Sequence, residues 1–193
     1  MFESIPAGLV ENWPYWLVSI VLVVAAVIDG IKLKVPNSIT FPLIISGWLY
    51  SAISYGIAGE QAWYIGLGWS LAGTAVGLGL LLPAYAIGGM GAGDVKLLMG
   101  VGAWVHCSNT FYGFCVSVII GAIIAIGQIL YKKGIKKHSS QFMSILNEII
   151  TIRNPDTLSQ IAADRKPTMT LLPYGIPIAI GTILYFAWCG LLI

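Results

Sequence analysis

From Gln61 to Gly93 the chain runs without a single charged side chain, through Trp, Leu, Ile, Ala and Gly. So long an apolar run belongs in lipid, not on a water-facing surface. The rest of the chain repeats the pattern. Of 193 residues, 58% are hydrophobic and 9% are charged, against about 25% charged in an average soluble domain. A soluble globular enzyme is excluded, and so is a disordered chain, which needs low hydrophobicity. The length suits a single domain, residues 1–193, with the bilayer as its solvent.

A bilayer core about 30 Å thick takes about 20 apolar helical residues. Nothing alternates with period two as a membrane barrel would, so an all-α, polytopic fold with six transmembrane helices is predicted. The spans are Trp13 to Ile28, Ser38 to Tyr55, a third within Gln61 to Gly93 ending near Tyr85, a fourth from Asp94, Thr110 to Tyr131, and Thr170 to Ile193. The opening stretch has no Lys or Arg, unlike a secretory leader, so the first span is expected to be permanent. The fourth is odd: from Asp94 to Val105 it covers only about 18 Å before fading at His106–Cys107–Ser108–Asn109. Either the span continues through His106 to Asn109, or its Asp94 end begins below the membrane surface in a protein-lined cavity. The run Gly88–Gly89–Met90–Gly91–Ala92–Gly93 before it reads as non-helical backbone. Gly73 and Gly77 make a small-xxx-small pair that suits packing within or between chains.

Lysine and arginine set the orientation. With six spans, the segments after the first, third and fifth receive all 10 basic residues, from Lys32 to Lys166, while Glu3, Glu11 and Glu60 lie on the other side. The positive-inside rule then gives an N-out/C-out protein with cytoplasmic basic loops. The one long polar segment, residues 132–167, is expected to be a cytoplasmic or interfacial loop. In it Phe142, Ile145, Leu146, Ile149 and Ile150 share one face of an amphipathic helix, and Asn154–Pro155 opens a second short helix through Ala163. The net charge of +2 gives no reason to expect a nucleic-acid partner.

Ionisable groups inside a membrane are costly, so each is a functional candidate. Of the aspartates, Asp156 and Asp164 lie in the loop. Asp29 ends the first span and Asp94 begins the fourth, both on the cytoplasmic side. Singly, each has a plain structural reading: Asp94 as a helix N-cap, Asp29 as an interfacial residue balanced by Lys32. Together, both beside unusual backbone, they form a carboxylate pair. In such a pair one group stays protonated and donates to a scissile carbonyl, while the other activates water. His106 and His138 fall on opposite sides of the membrane and cannot share a metal, and no His stands near either aspartate for a Ser-His-Asp triad. Cys107, Cys115 and Cys189 contain no Cys-x-x-Cys pair.

Gly91–Ala92–Gly93–Asp94 with Lys96 resembles the Gly-x-Gly-Asp signature of intramembrane aspartyl proteases. The six-span size, the stretch Asp29–Gly30–Ile31–Lys32–Leu33–Lys34–Val35–Pro36–Asn37 and the late Pro173–Tyr174–Gly175–Ile176–Pro177 are similar to type IV prepilin peptidases. That resemblance implies an endopeptidase that removes the short basic leader of prepilin-like proteins at the cytoplasmic face, after a Gly just before the apolar helix. It implies Asp29 and Asp94 as the catalytic pair, with Gly91, Gly93 and Lys96 near the substrate strand. Larger members also carry a cysteine-rich zinc segment and methylate the new N-terminus. Lacking that segment, this chain looks like the short form of Tad/Flp-type pili or an archaeal preflagellin peptidase. The expectation is peptidase activity alone, without cofactor or metal, in a multi-pass protein of the bacterial inner membrane whose partners are a prepilin-like substrate and the lipid bilayer. An ion-coupled transporter and a structural subunit of a pilus or secretion machine remain the competing classes.

Overall fold

The computed structural model describes residues 12–57, 62–86, 89–131 and 173–192, and among these every regular element is helical. The helices are α1 (Trp13–Lys32), α2 (Asn37–Ile57), α3 (Trp63–Ala86), α4 (Ala92–Tyr131) and α5 (Gly175–Trp188). Among the described residues, three stretches are long and apolar enough to cross a membrane: Trp13–Lys32, Trp63–Ala86 and Ala92–Gln128. The expected loop helices, between residues 132 and 167, lie outside the described residues.

α4 is two legs rather than one rod. At His106 the backbone leaves the helix, with φ 63 and ψ −172, a region costly for any residue with a side chain. Legs 92–105 and 107–131 then run in opposite directions. Asp94 lies beside the cavity at one end of the bundle with Asp29 and Tyr174. His106 sits at the other end, its ring nitrogen 3.2 Å from Ser51 Oγ. There Asn109 also bonds the Tyr15 and Tyr185 hydroxyls. The second leg then descends beside α5, where Ser117 Oγ reaches the Ile178 carbonyl. The short fourth span expected from Asp94 is this first leg, and its fading point is the reversal.

The first leg is the centre of the bundle. Leu97, Leu98, Val101 and Ala103 are fully buried, and α3 presses directly on the leg's backbone. A Cβ on Gly73 would strike the Gly102 carbonyl, and one on Gly77 would lie 2.8 Å from the Leu98 carbonyl carbon. The Gly73/Gly77 pair is therefore used within the chain, allowing the close helix approach that small residues give in membranes. The outer faces carry Ile20, Ile53, Ile119 and Ile123, all exposed, as a lipid-facing surface would.

Several boundaries differ from the sequence expectation, for local reasons. α1 does not stop before Asp29 but carries it to Lys32, because the Asp29 side chain is buried against protein rather than seeking water. Its end is set by Leu33 in the left-handed conformation (φ 51, ψ 33), whose N–H bonds the Asp29 carbonyl at 2.8 Å. The glycine run becomes helical at Ala92, earlier than expected, because Asp94 N–H bonds the Gly91 carbonyl at 3.2 Å and closes a turn. α5 begins only at Gly175, after Pro173, and Pro177 fits its first turn, where a missing N–H costs nothing. It ends in a Schellman motif: Gly190 has φ 70, Leu191 N–H bonds the Phe186 carbonyl at 2.9 Å, and Gly190 N–H bonds Ala187 at 3.1 Å.

Candidate active site

Asp29 is delivered by the last turn of α1 and Asp94 by the first turn of α4's first leg. Both are buried, 3% and 6% exposed respectively. They line one cavity of about 380 Å³, together with Leu33, Lys34, Asn37, Lys96 and Tyr174. Asp94 feels the charge of Asp29. Two carboxylates close together in one site cannot both ionise easily.

Backbone amides aim the two carboxylates. Gly175 N–H, at the start of α5, donates to Asp29 Oδ2 at 2.8 Å, across 146 positions of sequence. Gly91 N–H donates to Asp94 Oδ2 at 3.3 Å, so the tight turn at residues 91–94 holds the acid at both its amide and its side chain. Asp94 Oδ1 is buried and has no hydrogen-bond partner among the described residues. A buried unsatisfied acceptor costs about 1–3 kcal/mol, and beside a cavity that deficit is relieved by water or by a ligand donor. Tyr174 stands within electrostatic reach of Asp94.

At Gly93 the absence of a side chain is a steric requirement. A Cβ on Gly93 would come within 2.7 Å of the Val35 carbonyl oxygen and 3.1 Å of its Cβ. Gly93 therefore sets how closely α4 approaches the connection from α1 to α2. A Cβ on Gly91 would meet Asp94 Oδ2 at 3.3 Å, so Gly91 packs against its own acid. Lys96 lines the cavity too, but its ammonium is engaged. It donates to Asn37 Oδ1 at 3.0 Å and lies 4.7 Å from the centre of the Phe41 ring. Lys96 thus fastens the start of α2 to α4.

All five residues named from the sequence, Asp29, Gly91, Gly93, Asp94 and Lys96, therefore line this one cavity. Sequence reasoning missed the Gly175 amide and gave Tyr174 no role. The signal was the Pro173–Tyr174–Gly175 stretch, which carries no catalytic side-chain pattern. Among the described residues, no group of three His, Cys, Asp or Glu side chains stands close enough to hold a metal ion. His106 lies at the opposite end of the bundle, bonded to Ser51, and His138 lies outside the described residues.

Apolar helices that bury two carboxylates beside one cavity define a multi-pass membrane protein with a carboxylate-pair site. The chain belongs to the type IV leader peptidase family, whose family model matches residues 16–126. That match contains Asp29, Gly91, Gly93, Asp94 and Lys96, while Tyr174 and Gly175 lie beyond it. Among similar proteins is a prepilin leader peptidase/N-methyltransferase of Aeromonas salmonicida (strain A449), 32% identical over 133 residues, 65% of this chain and 40% of the relative. A protein of the same description from Aeromonas hydrophila is 30% identical over 133 residues, 65% of this chain and 41% of the relative. The matched region thus spans about two fifths of the length of these relatives. No solved structure matches the chain significantly.

Proposed function

We propose that the chain is a prepilin leader peptidase, an aspartyl endopeptidase that removes the short basic leader from prepilin-like proteins at the cytoplasmic face of the membrane. The observation that carries this reading is the burial of Asp29 and Asp94 on one cavity, each fixed by a backbone amide. The relatives' description as prepilin leader peptidases supports the substrate class.

In the reaction a water lies between the carboxylates. The ionised acid takes its proton as the oxygen attacks the scissile carbonyl carbon, and the protonated acid donates to the carbonyl oxygen. The tetrahedral intermediate then collapses. The C–N bond breaks as the nitrogen takes the proton of the protonated acid, and a hydroxyl of the intermediate gives its proton to the ionised one, so one carboxylate is again protonated and one ionised. The cavity face of residues 91–93 borders the extended substrate backbone, with Lys96 beside it, while the missing Cβ atoms of Gly93 and Gly91 serve close packing on Val35 and Asp94.

The proposal extends to six membrane spans, formed by α1, α2, α3, the two legs of α4 and α5, in an N-out/C-out arrangement with the dyad facing the cytoplasm of a bacterial inner-membrane protein. The clustering of all 10 basic residues on one side supports it. It further extends to leader removal without N-methylation, as in the short Tad/Flp-type forms, since the chain's three cysteines form no Cys-x-x-Cys pair. The test is co-expression with a candidate prepilin. A shortened product with an unmodified new N-terminus is expected. A full-length prepilin beside well-inserted protein contradicts the peptidase reading, and a methylated product contradicts the short-form reading.

A further inference from the structure

The cavity at Asp29 and Asp94 adjoins a second one. Met90 and Tyr174 line both. The second has a volume of about 370 Å³ and lies between α3, the second leg of α4 and the start of α5, a size within the range of binding sites for small ligands. Leu81, Phe114, Val118, Ala125 and Ile178 form much of its wall. Ser117, the one hydroxyl there besides Tyr174, is occupied by the carbonyls of Gly113 and Ile178 at 2.7 and 3.2 Å. Val118 is 52% exposed, so the groove opens on the outer face of an apolar leg, toward lipid.

The two cavities together ask for one kind of ligand. One end must be polar enough to sit among two carboxylates, Lys34 and Lys96, and the other must be apolar. A phospholipid has both ends, but even with Lys34 and Lys96 at the rim its phosphate would sit against Asp29 and Asp94, like charge against like. A peptide places an uncharged amide there. In the bilayer such a groove gains little from the hydrophobic effect, because lipid tails are equally apolar. It selects by packing, which favours a defined side-chain sequence over a fluid acyl chain.

We propose that this lateral groove seats the apolar residues that immediately follow the scissile bond, so that the cut falls where the substrate changes from polar to apolar. The inference rests on the peptidase reading above and specifies how that site chooses its bond. Entry is from the membrane, past Val118, with Met90 and Tyr174 at the threshold between the two subsites.

The test uses the full-length protein reconstituted in phospholipid vesicles with a candidate prepilin. Ala122 and Ala125 both line the groove, and Ala122 lies on the exposed side, so A122W obstructs the groove without crowding the core. A122W and Ala125→Phe are each expected to slow cleavage by about tenfold or more, as misplacement of a reacting bond does. Ile45, exposed on α2 away from the groove, serves as the control, and Ile45→Trp is expected to cleave at the parent rate. A photo-crosslinker at position 122 should capture the prepilin just after its cut site, in the parent and equally in an Asp94→Asn background. One at position 45 should not. Parent-like cleavage by both obstructed variants, or crosslinks at position 122 to lipid only, overturns the groove assignment. The two readings fail separately: cleavage that persists in Asp94→Asn removes the dyad, whereas cleavage that needs Asp94 but ignores the groove removes only this inference.

Discussion

Gly175→Ala is a sharp test of how the first carboxylate is held. The added methyl would lie 2.8 Å from Asp29 Oδ2 and 3.1 Å from both its Cβ and Cγ. Rotating the carboxylate clears the first contact but not the other two, so Asp29 or the start of α5 must move. The 2.8 Å bond from Gly175 N–H to Oδ2 is stretched or lost in either case. Overpacking of this kind costs about 1–3 kcal/mol, and a hydrogen bond to a charged acceptor contributes about 1.5–3 kcal/mol. Most of the α5 interface is unaffected, so the protein should still insert and stay folded, with stability lowered by a few kcal/mol at most. Catalysis should suffer more, because a displacement of about 1 Å at the reacting groups costs on the order of a hundredfold. The assay is cleavage of a candidate prepilin by purified protein, run beside a thermal unfolding curve. A variant that unfolds near the parent's temperature and cleaves at the parent's rate would show that the Gly175 amide does not position Asp29.

Gly93→Ala should act on the other side of the pair. It drives a methyl to within 2.7 Å of the Val35 carbonyl, and cleavage is expected to fall by about tenfold or more, measured in the same assay. Lys96→Ala removes the bond to Asn37 and the contact with Phe41. A stability loss of about 1–2 kcal/mol and a partial loss of activity are expected from thermal unfolding and cleavage rates, and Lys96→Arg should recover part of both. Leu33→Gly relieves a left-handed residue at the end of α1. Stability within about 1 kcal/mol of the parent, in either direction, with activity retained, is expected, whereas Leu33→Val should be clearly less stable.

The convergence of Asp29 and Asp94 was legible in the sequence because lipid makes every charge expensive. A carboxylate at each of two span ends on one side stands out against an uncharged background, and those ends do meet at one cavity. Gly93 was expected beside a substrate strand, and its close packing on Val35 was not readable from the sequence. The amide partner of Asp29 was not readable, since every non-proline residue offers an N–H and nothing in the sequence marks which one lies 146 positions away in space-filling contact. The reversal in α4 was anticipated as a fading of the apolar pattern, but its pivot is His106 rather than a glycine or proline. Its strained backbone is held by surroundings: the hydroxyls of Ser51 and Thr110 reach its ring and its carbonyl. The late start of α5 followed from Pro173, which average hydropathy does not register.

Joint hydrolysis of the peptide bond by Asp29 and Asp94 makes their asparagine variants decisive. The amide keeps the size of the side chain and can still accept from Gly175 or Gly91, but it neither activates water nor cycles a proton. Purified Asp29→Asn and Asp94→Asn, shown to be inserted and folded, are each expected to leave a candidate prepilin uncut over times in which the parent cuts it completely, while Asp156→Asn and Asp164→Asn cut as the parent does. Substantial cleavage by either of the first two variants would contradict the account.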